Sequence, residues 1–513
     1  MRGDLDRTAS LTAAWTIFTL CSLMPVIWMV VGAFNSGSFY TAGSALFGNR
    51  QRLLMANTIA LGIGASVFAF AVGTPLGVLL ARCHTQRVTV WRFILALPLV
   101  FPSFVLGLAW VILVGNRPSP WAYSIAAAVI VLGFSLYPIF MLAAEAALRS
   151  VPSRFEEAAR LVSSPLRVWL KIILPLIAPT LTASLLVVFV LAISDFAVAG
   201  LLRVRVYTTE VFTAFAALYD FSLATTTALP LAALTAGTSL AALEFVRRPS
   251  IGRSDRSGDS LTWNVRRQRI GVSTLAVSAI VIVSPSILAV AVEAREGRLP
   301  FGDVVSVDAL RNTLIWSGTA ATLVVAVGML LGYWRSRARR GIAHAADALW
   351  ASLFAVPATI LGVGMISMWN QPGIVGAFYG TDIAMVVAYL SRFLPLGSLL
   401  CAGFLQRVTV GSEEAAILSG ASWARTFVRI VLPATRKGLL AVWLLMFILV
   451  SGDVALTILL APPGESNLPV HAYTLIANAP TGDVARLAIM QIGLSAAPLA
   501  VMALLLRVRP EHA

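Results

Sequence analysis

The sequence predicts an all-α integral membrane protein of about 12 transmembrane helices, arranged as two parallel six-helix repeats. Three observations carry this. Of the 513 residues, 58% are apolar and 12% charged, and the mean hydropathy is +0.87, far more apolar than an average soluble domain. Apolar runs of roughly 20 residues, enough to cross a bilayer, recur along the whole chain. The second half of the chain also repeats the first at a nearly constant offset.

The runs fall near 11–33, 54–81, 93–114, 121–148, 176–201, 222–246, 270–292, 312–334, 346–369, 374–405, 438–461 and 484–506. The first follows only Arg2 and Arg7 and has no A-x-A-like site after it, so it reads as an uncleaved signal anchor. In the second, Gly62, Gly73 and Gly77 leave room for close helix packing. Pro98, Pro102 and Pro138 in the third and fourth can kink helices whose neighbours re-satisfy the backbone. Glu145 and Arg149, four apart at the end of the fourth, read as a surface pair. The fifth holds Asp195, and the sixth completes a set. After a polar, Arg- and Ser-rich stretch, the later runs follow the same order, with Pro357 in the ninth, Arg392 and Pro395 in the tenth and Asp453 in the eleventh.

The repeat is explicit in the residues. ANTIALGIGASVFAFAVGTPLGVLLAR (56–82) aligns with RNTLIWSGTAATLVVAVGMLLGYWRSR (311–337), placing Asn57 on Asn312, Gly73 on Gly328 and Gly77 on Gly332. The same offset carries Pro102 and Gly107 onto Pro357 and Gly362, and a small slip brings Pro138 to Pro395 and Glu157 to Glu414. The halves are therefore 1–247 and 269–513, joined by a cytosolic linker at 248–268. With six spans each, they share one orientation about an axis along the membrane normal.

Basic residues near helix ends stay on the cytoplasmic side. With both termini cytoplasmic, about 28 of the 38 Lys and Arg fall inside and about nine outside. The net charge of +15 then reflects topology and attraction to the anionic lipid bilayer rather than nucleic-acid binding. Cys21, Cys83 and Cys401 show no C-x-x-C spacing and the four histidines are scattered, so neither a disulfide framework nor a metal site is indicated.

Two cytosolic segments stand out: EEAARLVSSPLRVWLKIILPLIAP (156–179) and EEAAILSGASWARTFVRIVLPATRKG (413–438). Ser153 lies three residues before Glu156, a capping-box spacing, and Glu156 and Glu157 fall in the first turn, where the helix dipole favours acid. Ser412 is the candidate N-cap of the second copy, with Glu413 and Glu414 in the same part. Ser163 or Gly420 interrupts the helix, and Pro175 or Pro433 forces a turn before the next span. A single such connector could be an ordinary loop whose acids only cap a helix. Two copies before equivalent spans indicate a docking surface.

In the second copy Glu414, Ala415 and Ala416, then Gly420, then Ile430 to Pro433 with Leu432 between, resemble the EAA motif of binding-protein-dependent type I ABC importer permeases, which have the MetI-like fold; the loop runs 412–433. Over 153–175 the first copy resembles it through Glu157, Ala158, Ala159, Leu174 and Pro175, but Ser163 replaces the usual glycine and one residue fewer precedes the proline. The resemblance covers about 50–246 and 306–507, leaving the first span of each half and the linker outside. It implies a multi-pass permease of the bacterial cytoplasmic (inner) membrane, with no catalytic residue and no cofactor of its own. Two cytosolic ABC ATPase subunits, one per loop, hold the ATP and Mg, and an extracytoplasmic solute-binding protein delivers the solute. The only lysines, Lys171 and Lys437, lie outside any glycine-rich phosphate loop of the kind an ATPase needs.

ISDFAVAGLL (193–202) and SGDVALTILLAPPGESNLPVHAYTLI (451–476) resemble the corresponding segments of ferric-iron permeases. Thiamine, polyamine, aminoethylphosphonate and sulfate permeases share much of the framework and stay open. A carboxylate inside a span is costly and is a functional candidate by default, so Asp195 and Asp453, with Arg392, are the candidates for the translocation path. Asp453 could instead form a structural pair with Arg392, which lies about 13 residues, or ~20 Å, from the cytosolic end of its span. Asp195 lacks that partner, because Ser135 stands at the matching position. An ion-coupled secondary transporter, the rival class, predicts several intramembrane acids and no doubled docking loop.

Overall fold

The computed structural model describes residues 2–35, 48–83, 86–114, 120–218, 221–247, 265–300, 304, 306–373 and 376–505. Most of the expected linker, 248–264, lies outside them, as does the C-terminal stretch from 506. The described residues form helices and no strand. In chain order these are α1 Arg7–Val31, α2 Asn49–Arg82, α3 Gln86–Val100, α4 Ser103–Val114, α5 Ile125–Arg149, α6 Ser153–Val162, α7 Pro165–Ser194, α8 Ala197–Leu201, α9 Tyr207–Ala216 and α10 Phe221–Arg247. Ten more follow in the same order: α11 Val265–Glu293, α12 Val307–Arg337, α13 Arg340–Ala355, α14 Ala358–Trp369, α15 Asp382–Leu405, α16 Val410–Leu418, α17 Trp423–Ser451, α18 Thr457–Leu460, α19 Leu468–Leu475 and α20 Thr481–Leu505.

Among the described residues, ten helices are long and apolar enough to cross a bilayer, and two bent pairs bring the number to 12 if each pair is one span. The pairs correct the expected straight spans at 93–114 and 346–369. The chain turns by 89° between α3 and α4 and by 92° between α13 and α14, at Pro102 and Pro357. Each proline lacks an amide and crowds the turn before it, so the helix stops; Pro357 has φ −57 and ψ 143, outside the helical region. Pro138 and Pro395, by contrast, sit inside unbroken helices. The span expected over 374–405 starts later, at Asp382, where the Thr381 hydroxyl accepts from the Ala384 amide at 3.3 Å.

Contacts at its ends indicate that the first bent pair nevertheless carries the chain across. Arg92 at the start of α3 and Arg149 at the end of α5 both reach Glu145, at 2.5 and 3.0 Å, and Arg149 donates to the Leu80 carbonyl near the end of α2 at 3.2 Å. The end of α2, the start of α3 and the end of α5 therefore share one side. Glu145 is 5% exposed, so it is a buried junction of two guanidinium groups and not the surface pair that the spacing suggested.

Inside a bilayer, helices are held by close packing and polar contacts rather than by the hydrophobic effect. A Cβ at Gly73 or Gly77 would strike the carbonyls of Tyr137 and Met141, and one at Gly332 would come within 2.7 Å of the Ala402 amide. These glycines let α2 lie on α5 and α12 on α15. The first spans cross over: α1 packs on α12, α14 and α15, while α11 packs on α2, α3 and α4. One apolar core accordingly joins Phe189 and Ile193 of α7 to Trp316, Tyr389 and Phe447. Ile280, Val281 and Leu288 of α11 stay exposed, as a lipid-facing surface requires.

Candidate functional site

The first of two sites is the pair of loops that carry the EEAA residues. Helix α6 starts at Ser153 with Pro152 as its N-cap, and α16 starts at Val410 with Thr409 as its cap. This corrects the expected serine caps. Ser412 lies inside the first turn, where its hydroxyl donates to the Thr409 carbonyl at 2.7 Å. The acids divide by position. Glu156 is 4% exposed and accepts from Arg82 at 2.5 Å and from Arg160 at 2.6 Å. Glu413, 5% exposed, accepts from Arg337 and, at 2.8 Å, from the Tyr333 hydroxyl. Glu157, Ala158, Glu414 and Ala415 point outward, while Ala159 is buried and Ala416 half-buried.

The break between the two short helices differs between copies. Gly420 has φ +85, a left-handed conformation that a Cβ disfavours. Ser163 has φ −151 and ψ 155, extended backbone open to any residue, so the shorter loop does not need glycine. Pro175 and Pro433 do not force the expected turn. A π-turn at Trp169–Ile173 lets the Leu174 amide reach the Trp169 carbonyl, and one at Phe427–Val431 does the same for Leu432. The widened turn absorbs the missing proline amide, with Leu174 and Leu432 half-buried and both prolines exposed. Consequently α7 and α17 run unbroken from the loop to the far end of the span.

Each loop presents apolar side chains at matched positions. Leu161 and Leu418 are 87% and 88% exposed, and Leu170 and Val428 are 55% and 57% exposed. Arg82, Arg337 and Tyr333 were not singled out from the sequence. The two arginines, however, end the aligned segments 56–82 and 311–337, a signal that was present.

The second site lies where the halves meet. Asp195 and Asp453 sit at the breaks just after α7 and α17, not within the spans as expected. Each carboxylate satisfies a free amide of the next short helix: Val198 donates to Asp195 and Leu456 to Asp453, both at 2.8 Å. Arg392 pairs with Asp453 at 2.7 Å, the structural pair foreseen for it. Asp195 makes no salt bridge among the described residues; Ser103 hydrogen-bonds to it, and Arg392 and Asp453 of the other half act on it electrostatically. Gly452 packs so closely on Pro102 that a Cβ there would meet the ring at 2.9 Å, so the bend of one half rests on the break of the other. Around Asp453, Asn467 donates to its carbonyl at 3.0 Å and to Thr457 at 3.1 Å, and Thr457 is 2.6 Å from the Tyr389 hydroxyl. Burial, reinforced by the Asp195 carboxylate, pushes the Tyr473 phenol up to about 12, so it stays neutral. The centre thus holds two carboxylates and one guanidinium.

Residues 73–248 match the family described as "Binding-protein-dependent transport system inner membrane component". Over 93% of its length the chain is 22% identical to the Fe(3+)-transport system permease protein FbpB 2 of Haemophilus influenzae, covering 94% of that protein. It is 24% identical to the putative ferric transport system permease protein FbpB 1 of the same organism, over 87% of this chain and 77% of that one. The ferric transport system permease protein FbpB of Actinobacillus pleuropneumoniae is 23% identical over 87% and 71%. With two loops of the EAA type, ten to 12 crossings among the described residues and relatives that run along most of its length, the chain resembles the fused permease subunits of binding-protein-dependent type I ABC importers, inner-membrane transport components that work with an ATPase and a solute-binding protein.

Proposed function

We propose that this permease imports ferric iron handed over by an extracytoplasmic binding protein, and that one cytosolic ATPase subunit docks on each of the two loops, holding the ATP and Mg. In this reading residues 1–247 and 269–513 are the two halves, the loops and both termini are cytoplasmic, and the chain needs no cofactor of its own. The observation that carries the docking is the matched exposure of Leu161 with Leu418 and of Leu170 with Val428. Apolar side chains standing in water at equivalent points of two short helices call for a partner with a matching cleft. Their neighbours Glu157 and Glu414 are free to face that partner.

Iron is supported by the ferric permeases that resemble the chain and by the centre between the halves. Two carboxyl groups, only one of them paired with a guanidinium, offer oxygen ligands that suit a cation better than an oxyanion such as sulfate. Asp195, whose charge is the less directly paired, faces the path in this reading, and the Arg392 and Asp453 pair holds the bend beside it.

Gentle-detergent purification of the chain from its own membrane, with mass spectrometry, tests the reading. An ATPase and an iron-carrying binding protein should accompany it. Recovery of no ATPase even after mild crosslinking would remove the docking reading. A binding protein carrying thiamine, a polyamine, a phosphonate or sulfate would remove iron alone.

A further inference from the structure

We propose that Glu156 and Glu413, the acids just before the two EAA triplets, are positioning residues for coupling, and that the second is the stiffer link. The proposal rests on the reading that ATPase subunits dock on these loops. Each loop bridges two long rods. On one side α7 or α17 leaves the loop without a break and ends at the Asp195 or Asp453 bend. On the other side the buried acid fixes α6 to Arg82 of α2, or α16 to Arg337 of α12.

At 1.5 Å per residue, α2 and α12 are ~50 Å and ~45 Å long, more than the ~30 Å hydrocarbon layer. Their last turns, which carry Arg82 and Arg337, meet the loop helices. A push on the loop reaches α2 or α12 through a charge pair shielded from water, and reaches α7 or α17 through continuous backbone.

The two links differ in chemistry. The Glu156 oxygens go to Arg82 and to Arg160 of its own helix. Val78 stands where the second half has Tyr333, so the first half has no hydroxyl at that point. Glu413 takes both Arg337 and the Tyr333 hydroxyl, and that hydroxyl accepts from Trp423 Nε1 at 3.3 Å. Trp423 opens α17 and stacks on Phe427, with Tyr333 edge-on to both rings. A single knot thus ties α12, α16 and α17. The first span adds a brace: α1 packs on α12 and on the start of α17, with Trp15 edge-on to Trp334 at 4.9 Å.

The test uses the whole importer in proteoliposomes and reads ferric iron taken up per ATP hydrolysed. Tyr333→Phe removes one hydroxyl and strands no charge; the ATPase should stay bound while the ratio falls about fivefold. Removing both partners, Glu413→Gln with Arg337→Gln, should lower it about tenfold, and Glu156→Gln with Arg82→Gln about threefold. An unchanged ratio in Tyr333→Phe and in the second-half pair would overturn the proposal. Equal losses from the two pairs would overturn the inequality. Loss of the ATPase from Tyr333→Phe would make the knot a docking element and overturn the positioning role. If the unaltered chain retained no ATPase, the docking reading itself would fall; retention with unchanged coupling would sink only this inference.

Discussion

Single residues show most clearly which parts of the loops were readable. The acids, the alanines and the prolines were legible as a motif, but the division of labour between Glu156 and Glu157 was not, because burial is set by an arginine 74 positions away. The same limit applied to Asp195, whose electrostatic partner comes from the other half. Gly420 offers a clean test at this scale. With φ +85 and nothing near its missing Cβ, Gly420→Ala should cost about 1–2 kcal/mol through backbone strain alone. Ser163→Ala, at extended φ, should cost under about 0.5 kcal/mol; thermal unfolding in detergent measures both. At the centre, Asp195→Asn keeps an oxygen to accept from Val198 but discards the charge. We expect iron uptake to fall about tenfold with assembly intact, and uptake at the unaltered rate would rule out a path role. Replacing Arg392 by Ala leaves Asp453 buried and unpaired, which should cost about 3–5 kcal/mol and show as loss of folded protein.

Among the elements, hydropathy located the spans and missed their shape. A straight helix and a pair bent by 89° have the same apolar content, so Pro102 and Pro357 were legible as kinks and not as right-angled breaks. The π-turns before Pro175 and Pro433 were illegible for a related reason: the rule that proline ends a helix holds only if the preceding turn cannot widen. Short helices such as α8 and α18 were absorbed into longer runs because their residues are equally apolar. The glycines give the element-scale prediction. Gly77→Ala should destabilise the α2 and α5 crossing by about 1–3 kcal/mol, since the carbonyl of Met141 blocks the Cβ. Gly318→Ala in α12, where nothing lies within 4 Å, should be neutral or stabilise by up to about 1 kcal/mol. A shared outcome for the two would contradict the packing argument.

At the scale of the whole molecule, the repeat in the sequence anticipated two sets of six crossings, and the contacts add what a repeat cannot encode. The first span of each half lies on the opposite half, and one core runs through both. Each loop is joined through α7 or α17 to the shared bend of Asp195, Asp453 and Arg392. The two-loop arrangement predicts that cysteines at Leu161 and at Leu418 both crosslink to an ATPase subunit, and a yield from one loop alone would contradict docking at both. The central claim, an ATP-driven ferric permease, is tested most directly by radioiron uptake into proteoliposomes holding the chain, its ATPase and an iron-loaded binding protein. The account predicts uptake that requires ATP and all three proteins. Uptake driven by a proton or sodium gradient without the ATPase, or ATP-driven transport that ignores iron, would contradict it.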